Sequence, residues 1–82
     1  MDLERNLNRL LGEAIEQRRL AAGVSQESLA QQAGISRTYL SDIERGLRNV
    51  SISTLYKLAG GLKTPASSIV LDVEKALQAL QN

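Results

Sequence analysis

SQESLAQQAGISRTYLSDIERG, residues 25–46, reads as two short helices joined by a glycine turn. Ser25 and Ser36 each carry the short oxygen-bearing side chain that caps a helix start by accepting from backbone N–H groups. Leu29 and Ala33, four apart, share one side of the first helix, and Leu40 and Ile43, three apart, share one side of the second. Ala30 is small enough to let another helix come close. Gly34 breaks the first helix and Ile35 forms a buried hinge. Gly46 ends the second, with Leu47 as the hydrophobic contact that often follows such a stop. Arg37, Thr38, Ser41 and Asp42 are left facing outward.

Working outward, residues 3–22 form a helix with Leu7, Leu11 and Ile15 on one apolar face. Arg19 continues that stripe, an odd place for a solvated residue, while its neighbour Arg18 is expected to face solvent. Gly23 stops this helix and Val24 pins the connection. On the other side, Ser51 caps a helix over 52–60 whose inner face is Ile52, Leu55, Leu58 and Ala59. Gly60 and Gly61 end it and Leu62 packs back. Thr64 and Pro65 then start a last helix over 65–80, with a bend near Val70. Ile69, Val73, Leu77 and Leu80 line one side of it. No strand pattern or internal repeat appears, so the expected class is all-α, with five helices in a single domain over residues 1–82.

Composition excludes much. With no Cys and no His among 82 residues there is no thiol, no imidazole base and no Cys/His zinc site. The serines have no convincing base partner, so no enzyme, metal or cofactor is expected. The start, MDLERNLNRL, is charged and lacks the apolar run of a secretory leader, and no stretch is long enough to span a membrane. A cytoplasmic protein without membrane contact is expected. Two Tyr are the only aromatic residues, too few for the stacking platforms of a single-strand binder. Net charge is only +1, from ten basic and nine acidic residues. A nucleic-acid reading therefore rests on where particular side chains point, not on bulk charge.

An α-helix fits the major groove of duplex DNA, where each base pair shows a distinct pattern of donors and acceptors. Reading it takes a short helix with an exposed polar first turn, and a second helix that fixes the angle of entry. Residues 26–45 supply both. Gln26, Leu29-Ala30, Gly34 and Ile43-Glu44-Arg45-Gly46 resemble the Xre/Cro-type helix-turn-helix family, which includes the lambdoid phage repressors. The likeness covers residues 11–62 and implies a five-helix lambda-repressor-like DNA-binding domain. More narrowly, Arg37-Thr38-Tyr39-Leu40-Ser41, then Ile43-Glu44-Arg45 and Arg48-Asn49-Val50-Ser51, look like the controller proteins of restriction-modification systems. Those are small homodimeric regulators of their own gene and the endonuclease gene. Related repressors often have Pro where this chain has Val50.

Arg37 is the expected reader of guanine, because Arg matches O6 and N7 with two hydrogen bonds, and Thr38 can meet a thymine methyl. A cation at a helix start opposes the macrodipole, a local misfit that an anionic ligand explains. Ser41 and Asp42, one turn on, complete the base-reading set, Asp42 as an acceptor from cytosine N4. The resemblance adds Arg48, whose loop approaches DNA in controllers. Gln26, Ser36, Tyr39, Arg45 and Asn49 are assigned to phosphates. The resemblance also implies a partly buried salt bridge between Arg19 and Glu44, joining the first and third helices. Asp42 and Glu44 form an acidic patch that offers RNA polymerase a contact, although Glu44 serves better in the core. Ile69, Val73, Leu77 and Leu80 are the expected dimer interface, so that a two-fold protein meets a palindromic operator. The competing functions are another Xre-type repressor, or an antitoxin or adaptor that grips a partner protein with the same helices.

Overall fold

The computed structural model describes residues 2–81. Helices α1 (Leu3–Ala21), α2 (Gln26–Ala33), α3 (Arg37–Glu44), α4 (Ile52–Gly61) and α5 (Ala66–Gln81) follow one another, with no strand among the described residues. Three of the start signals read from sequence, Ser25, Ser36 and Ser51, are observed as caps, whereas α5 begins at Ala66, just after the expected Thr64–Pro65 start. Ser25 Oγ accepts from Ser28 N at 3.0 Å, Ser36 Oγ from Tyr39 N at 3.0 Å and Ser51 Oγ from Thr54 N at 3.1 Å. Asp2 caps α1 in the same way, accepting from Arg5 N at 3.0 Å.

Gly34 takes φ +71°, a left-handed conformation that lets Ile35 N reach back to Ala30 O at 3.0 Å and turns the chain sharply from α2 to α3. The end of α4 differs from expectation. Gly60 and Gly61 lie inside or at the last turn of the helix, and Lys63 adopts the left-handed position, φ +56°, with Thr64 N bonded to Ala59 O at 3.0 Å. Gly61 serves packing instead: a Cβ there would lie 2.7 Å from Leu29 Cδ1.

Ile15, Leu29, Leu40, Ile43, Leu58 and Ile69 are fully buried, so every helix contributes to one core. Each such side chain stabilises the fold by about 1.5–3 kcal/mol relative to exposure. α1 packs on α5 and α3, while α2 packs on α3 and α4. The buried side of α1 is Leu10, Ala14, Ile15 and Arg19. Leu7 and Leu11, expected at its centre, are half-buried at the edge. Gly12 sits where α1 meets the end of α3, and a Cβ there would lie 2.3 Å from Ile43 O.

Several expectations fail where long-range packing decides. Ile52 is 71% exposed and Leu47 is exposed too, while Thr54 is buried. α5 runs as one uninterrupted helix through Val70. Arg18 is only half-exposed and is engaged rather than solvated. Its Nε and Nη2 donate to Asp72 of α5 at 2.5 and 3.2 Å, Nη1 to Thr64 Oγ1 at 3.4 Å and Nη2 to Ser68 O at 3.4 Å. The Asp72 carboxylate raises the Arg18 guanidinium above its ordinary range.

Candidate nucleic-acid interface

α3 is amphipathic because Leu40, Ile43 and Glu44 turn inward, which leaves its first turn and opposite side to solvent. Arg37 and Thr38 are exposed, and Ser41 and Asp42 are half-buried one turn further on. Together with Gln26 from the start of α2 and Arg45 from the end of α3, these four line a shallow concavity of about 220 Å³. The tight turn at Gly34 brings the two helices close enough to share it. α3 has no acidic residue in its first turn, so its N-terminal dipole is not offset locally.

One network underlies this shelf. Arg19 Nε and Nη2 donate to the Glu44 carboxylate at 2.8 and 3.0 Å, and Nη1 donates to Val24 O at 3.0 Å. The carboxylate side chain is 1% exposed and the guanidinium side chain 10%. Glu44 also accepts from Gln26 Nε2 at 2.9 Å. The hydrogen bonds that Arg19 donates to Glu44 raise its guanidinium above the ordinary range, against the opposing effect of burial. The bonds to Glu44 cross between helices, so the network fixes α1, α2 and α3 against one another. The side-chain N–H group of Gln26 used in this way is held by the core. What Gln26 offers a phosphate is its remaining polar groups.

The loop after α3 divides. Arg48 stays with the shelf: its Nε and Nη2 lie 3.4 Å from Asp42 Oδ2, and its guanidinium sits over the Tyr39 ring at 5.5 Å. Arg45 Nη1 lies 3.8 Å from Asp42 Oδ1. Asn49 turns the other way. Its Oδ1 accepts from Asn8 Nδ2 of α1 at 2.6 Å, over a groove lined by Leu7, Leu11, Val50 and Val73. Ser36 is engaged as a cap and Tyr39 packs partly against the core. Since Glu44 is buried and Asp42 meets two arginines, α3 carries no free acidic patch of the kind expected for a polymerase contact.

The expected dimer face needs correction. Ile69 is 0% and Val73 8% exposed, and both belong to the core of the chain itself. Leu77 is half-buried against that core, and only Leu80 is substantially exposed. α5 has a second apolar edge that the spacing did not single out. Val70 and Leu71 are exposed beside Ile52 and Tyr56 of α4, and the four line one open groove. Sequence missed this face because α5 carries apolar residues on two adjacent sides, and only the position of α1 decides which side is inside.

Among the described residues no cluster could hold a metal ion, and no helix is long and apolar enough to cross a membrane.

The helix-turn-helix family model matches residues 15–69. The control protein C.BamHI of Bacillus amyloliquefaciens is 45% identical over 58 residues, covering 70% of this chain and 72% of that one. Among solved structures, the restriction-modification controller protein C.AhdI from Aeromonas hydrophila superposes with a TM-score of 0.74 at 37% identity, over 76% of this chain and 94% of that one. The clp gene regulator ClgR from C. glutamicum reaches a TM-score of 0.82 at 28% identity, over 85% and 91%.

Proposed function

Because the chain belongs to the helix-turn-helix family and is a DNA-binding transcriptional regulator homologous to restriction-modification control proteins, we propose that it works as a homodimer on a palindromic operator. The observation that carries this is the shared shelf of α2 and α3, with Arg37, Thr38 and Ser41 presented together and no competing partner for Arg37 among the described residues. α3 enters the major groove, and Arg37 reads guanine while Thr38 and Ser41 read or support neighbouring bases. Arg45, Ser36, Tyr39 and the free groups of Gln26 meet phosphates. Arg48 reaches DNA from the following loop, and Asn49 contributes from the backbone side only if it leaves Asn8.

Dimerisation uses the groove of Ile52, Tyr56, Val70 and Leu71, with Leu80 at the end of α5, in place of the buried Ile69 and Val73. A chain this small gains stability by covering such a face. The protein is a cytoplasmic regulator with no catalytic role, and the genes under its operator are those of a restriction-modification system. A net charge of +1 gives little general attraction to DNA, so two copies of a well-aimed shelf supply the affinity.

Selection from a random duplex library tests the proposal. The expected product is a palindrome whose half-sites lie roughly 34–36 Å apart, or a multiple of that. Arg37→Ala then weakens operator binding by about 1–3 kcal/mol and relaxes the preference at one base pair of each half-site. No enrichment at all, with a stable monomer by light scattering, would instead make this chain an adaptor for another protein.

A further inference from the structure

The Asp42 carboxylate lies between the two arginines that follow the recognition helix. Oδ2 is 3.4 Å from both Nε and Nη2 of Arg48, and Oδ1 is 3.8 Å from Arg45 Nη1. The Asp42 side chain is 21% exposed, whereas those of Arg45 and Arg48 are 67% and 54% exposed. The Tyr39 ring, 5.5 Å from the Arg48 guanidinium, helps to hold that arginine at the edge of the shelf. Asp42 is the only acidic residue lining the shelf. It leaves two of the three nearby arginines partly neutralised and Arg37 free.

We propose that Asp42 is a specificity-determining residue that acts by restraint, keeping Arg45 and Arg48 from phosphates on any duplex that offers its carboxylate no donor. The proposal rests on the DNA-binding reading above. On an arbitrary duplex, an arginine drawn to a phosphate loosens its pairing with Asp42, and the carboxylate is then left facing a negatively charged surface. Both effects oppose binding. On a duplex with a cytosine N4 amino group opposite Asp42, the carboxylate accepts from the base and both arginines are released to the backbone. The same residue thus weakens binding everywhere and withdraws its opposition where the right base pair is present. A carboxylate with two partners in the free protein and one on the operator is suited to this. A lone surface charge is not.

Asp42→Asn keeps the shape of the side chain and removes its charge. Binding would be measured by fluorescence anisotropy on the selected operator and on a scrambled duplex of equal length, over a range of salt. Circular dichroism would establish that the variant is folded. The expected result is binding to the scrambled duplex that tightens roughly two- to tenfold, the scale of one or two exposed ion pairs no longer to be broken. The salt slope on that duplex steepens by up to about 0.9 for each arginine freed to meet a phosphate. Operator binding stays level or weakens, so the ratio between the two falls, and the preference at one base pair flattens. In an Arg48→Ala background the gain on the scrambled duplex shrinks. Equal tightening on both duplexes, with the ratio unchanged, would reduce Asp42 to a general charge and overturn the proposal. So would a gain as large without Arg48 as with it. Failure of the wild-type protein to prefer any duplex would overturn the DNA-binding reading itself, a different result from either.

Discussion

Gly12→Ala tests how α1 packs on α3, because two physical effects predict opposite signs. Alanine is the better helix former by about 1 kcal/mol in an exposed helix interior, so propensity alone predicts a more stable protein. The packing predicts a less stable one. A Cβ at residue 12 would lie 2.3 Å from Ile43 O and 2.8 Å from Glu44 O, both backbone atoms at the end of α3. Ordinary contact begins near 3.4 Å, so α3 must recede by about 1 Å (3.4 less 2.3). No side chain can rotate away to relieve this. Overpacking of this kind costs typically about 1–3 kcal/mol. The recession also strains the Arg19–Glu44 bonds that tie the same two helices together. With the propensity gain subtracted, a net loss of up to about 2 kcal/mol is expected from overpacking, and the strain on the Arg19–Glu44 bonds adds to it; each kcal/mol lowers the melting temperature by roughly 4–8 °C in a chain of this size. Gly60→Ala is the internal control. It lies in α4 with nothing within 4 Å of its added Cβ. It should gain about 0.5–1 kcal/mol, from propensity and from a less flexible unfolded chain. Thermal and urea unfolding, followed by circular dichroism at one protein concentration, reads both. Gly12→Ala melting at or above the wild type would refute the close approach of α1 and α3.

Further outcomes are expected elsewhere. Glu44→Ala strands the buried Arg19 guanidinium and should cost about 3–5 kcal/mol in urea unfolding, whereas Arg19→Met with Glu44→Leu should recover most of that; a single-variant loss below about 1 kcal/mol would mean the pair is not structural. Ile52→Asp places a charge in the exposed groove between α4 and α5 and should give a folded monomer by light scattering; a variant that remains dimeric assigns the interface to another surface. The raised guanidinium groups of Arg18 and Arg19 contribute stability that is fully present below the ordinary arginine range and lost only as pH rises through the higher folded values. With no His in the chain, these two links should contribute equally to the melting temperature at pH 6 and pH 9. The difference in melting temperature between wild type and an Arg18→Met, Asp72→Leu variant checks this, and a difference that shrinks steeply across that window would contradict it.

Legibility in the sequence followed the range of the interaction. Ser25, Ser36 and Ser51 were readable as caps because each bonds a backbone group three residues on. Gly34 was readable because the left-handed turn is a property of a few residues. Leu29, Leu40 and Ile43 followed from helical spacing alone. Arg19 announced itself as a charge on an apolar stripe. Where a partner lies far along the chain, local patterns gave nothing. Arg18 looked solvated because Asp72, its partner, is 54 positions away. Gly60 and Gly61 looked like a stop, but packing against Leu29 and the conformation of Lys63 place the end later. On the shelf, the residue types were readable and their mutual engagement was not. Nothing in the spacing says that Asp42 holds Arg48, that Gln26 bonds Glu44, or that Asn49 turns to Asn8.

The fork of Arg18 on α5 has a consequence for distance. α1 meets the end of α3 at Gly12 and grips α5 through Arg18, so a single rigid rod holds both the reading helix and the helix that carries Val70 and Leu71. In a dimer built on that edge, as proposed above, the gap between the two copies of α3 would follow from how α1 holds α3 and α5. The chain would then act as a calliper: the shelf would select the bases, and the packing of α5 on α1, the Arg18–Asp72 pair included, would set how far apart they lie.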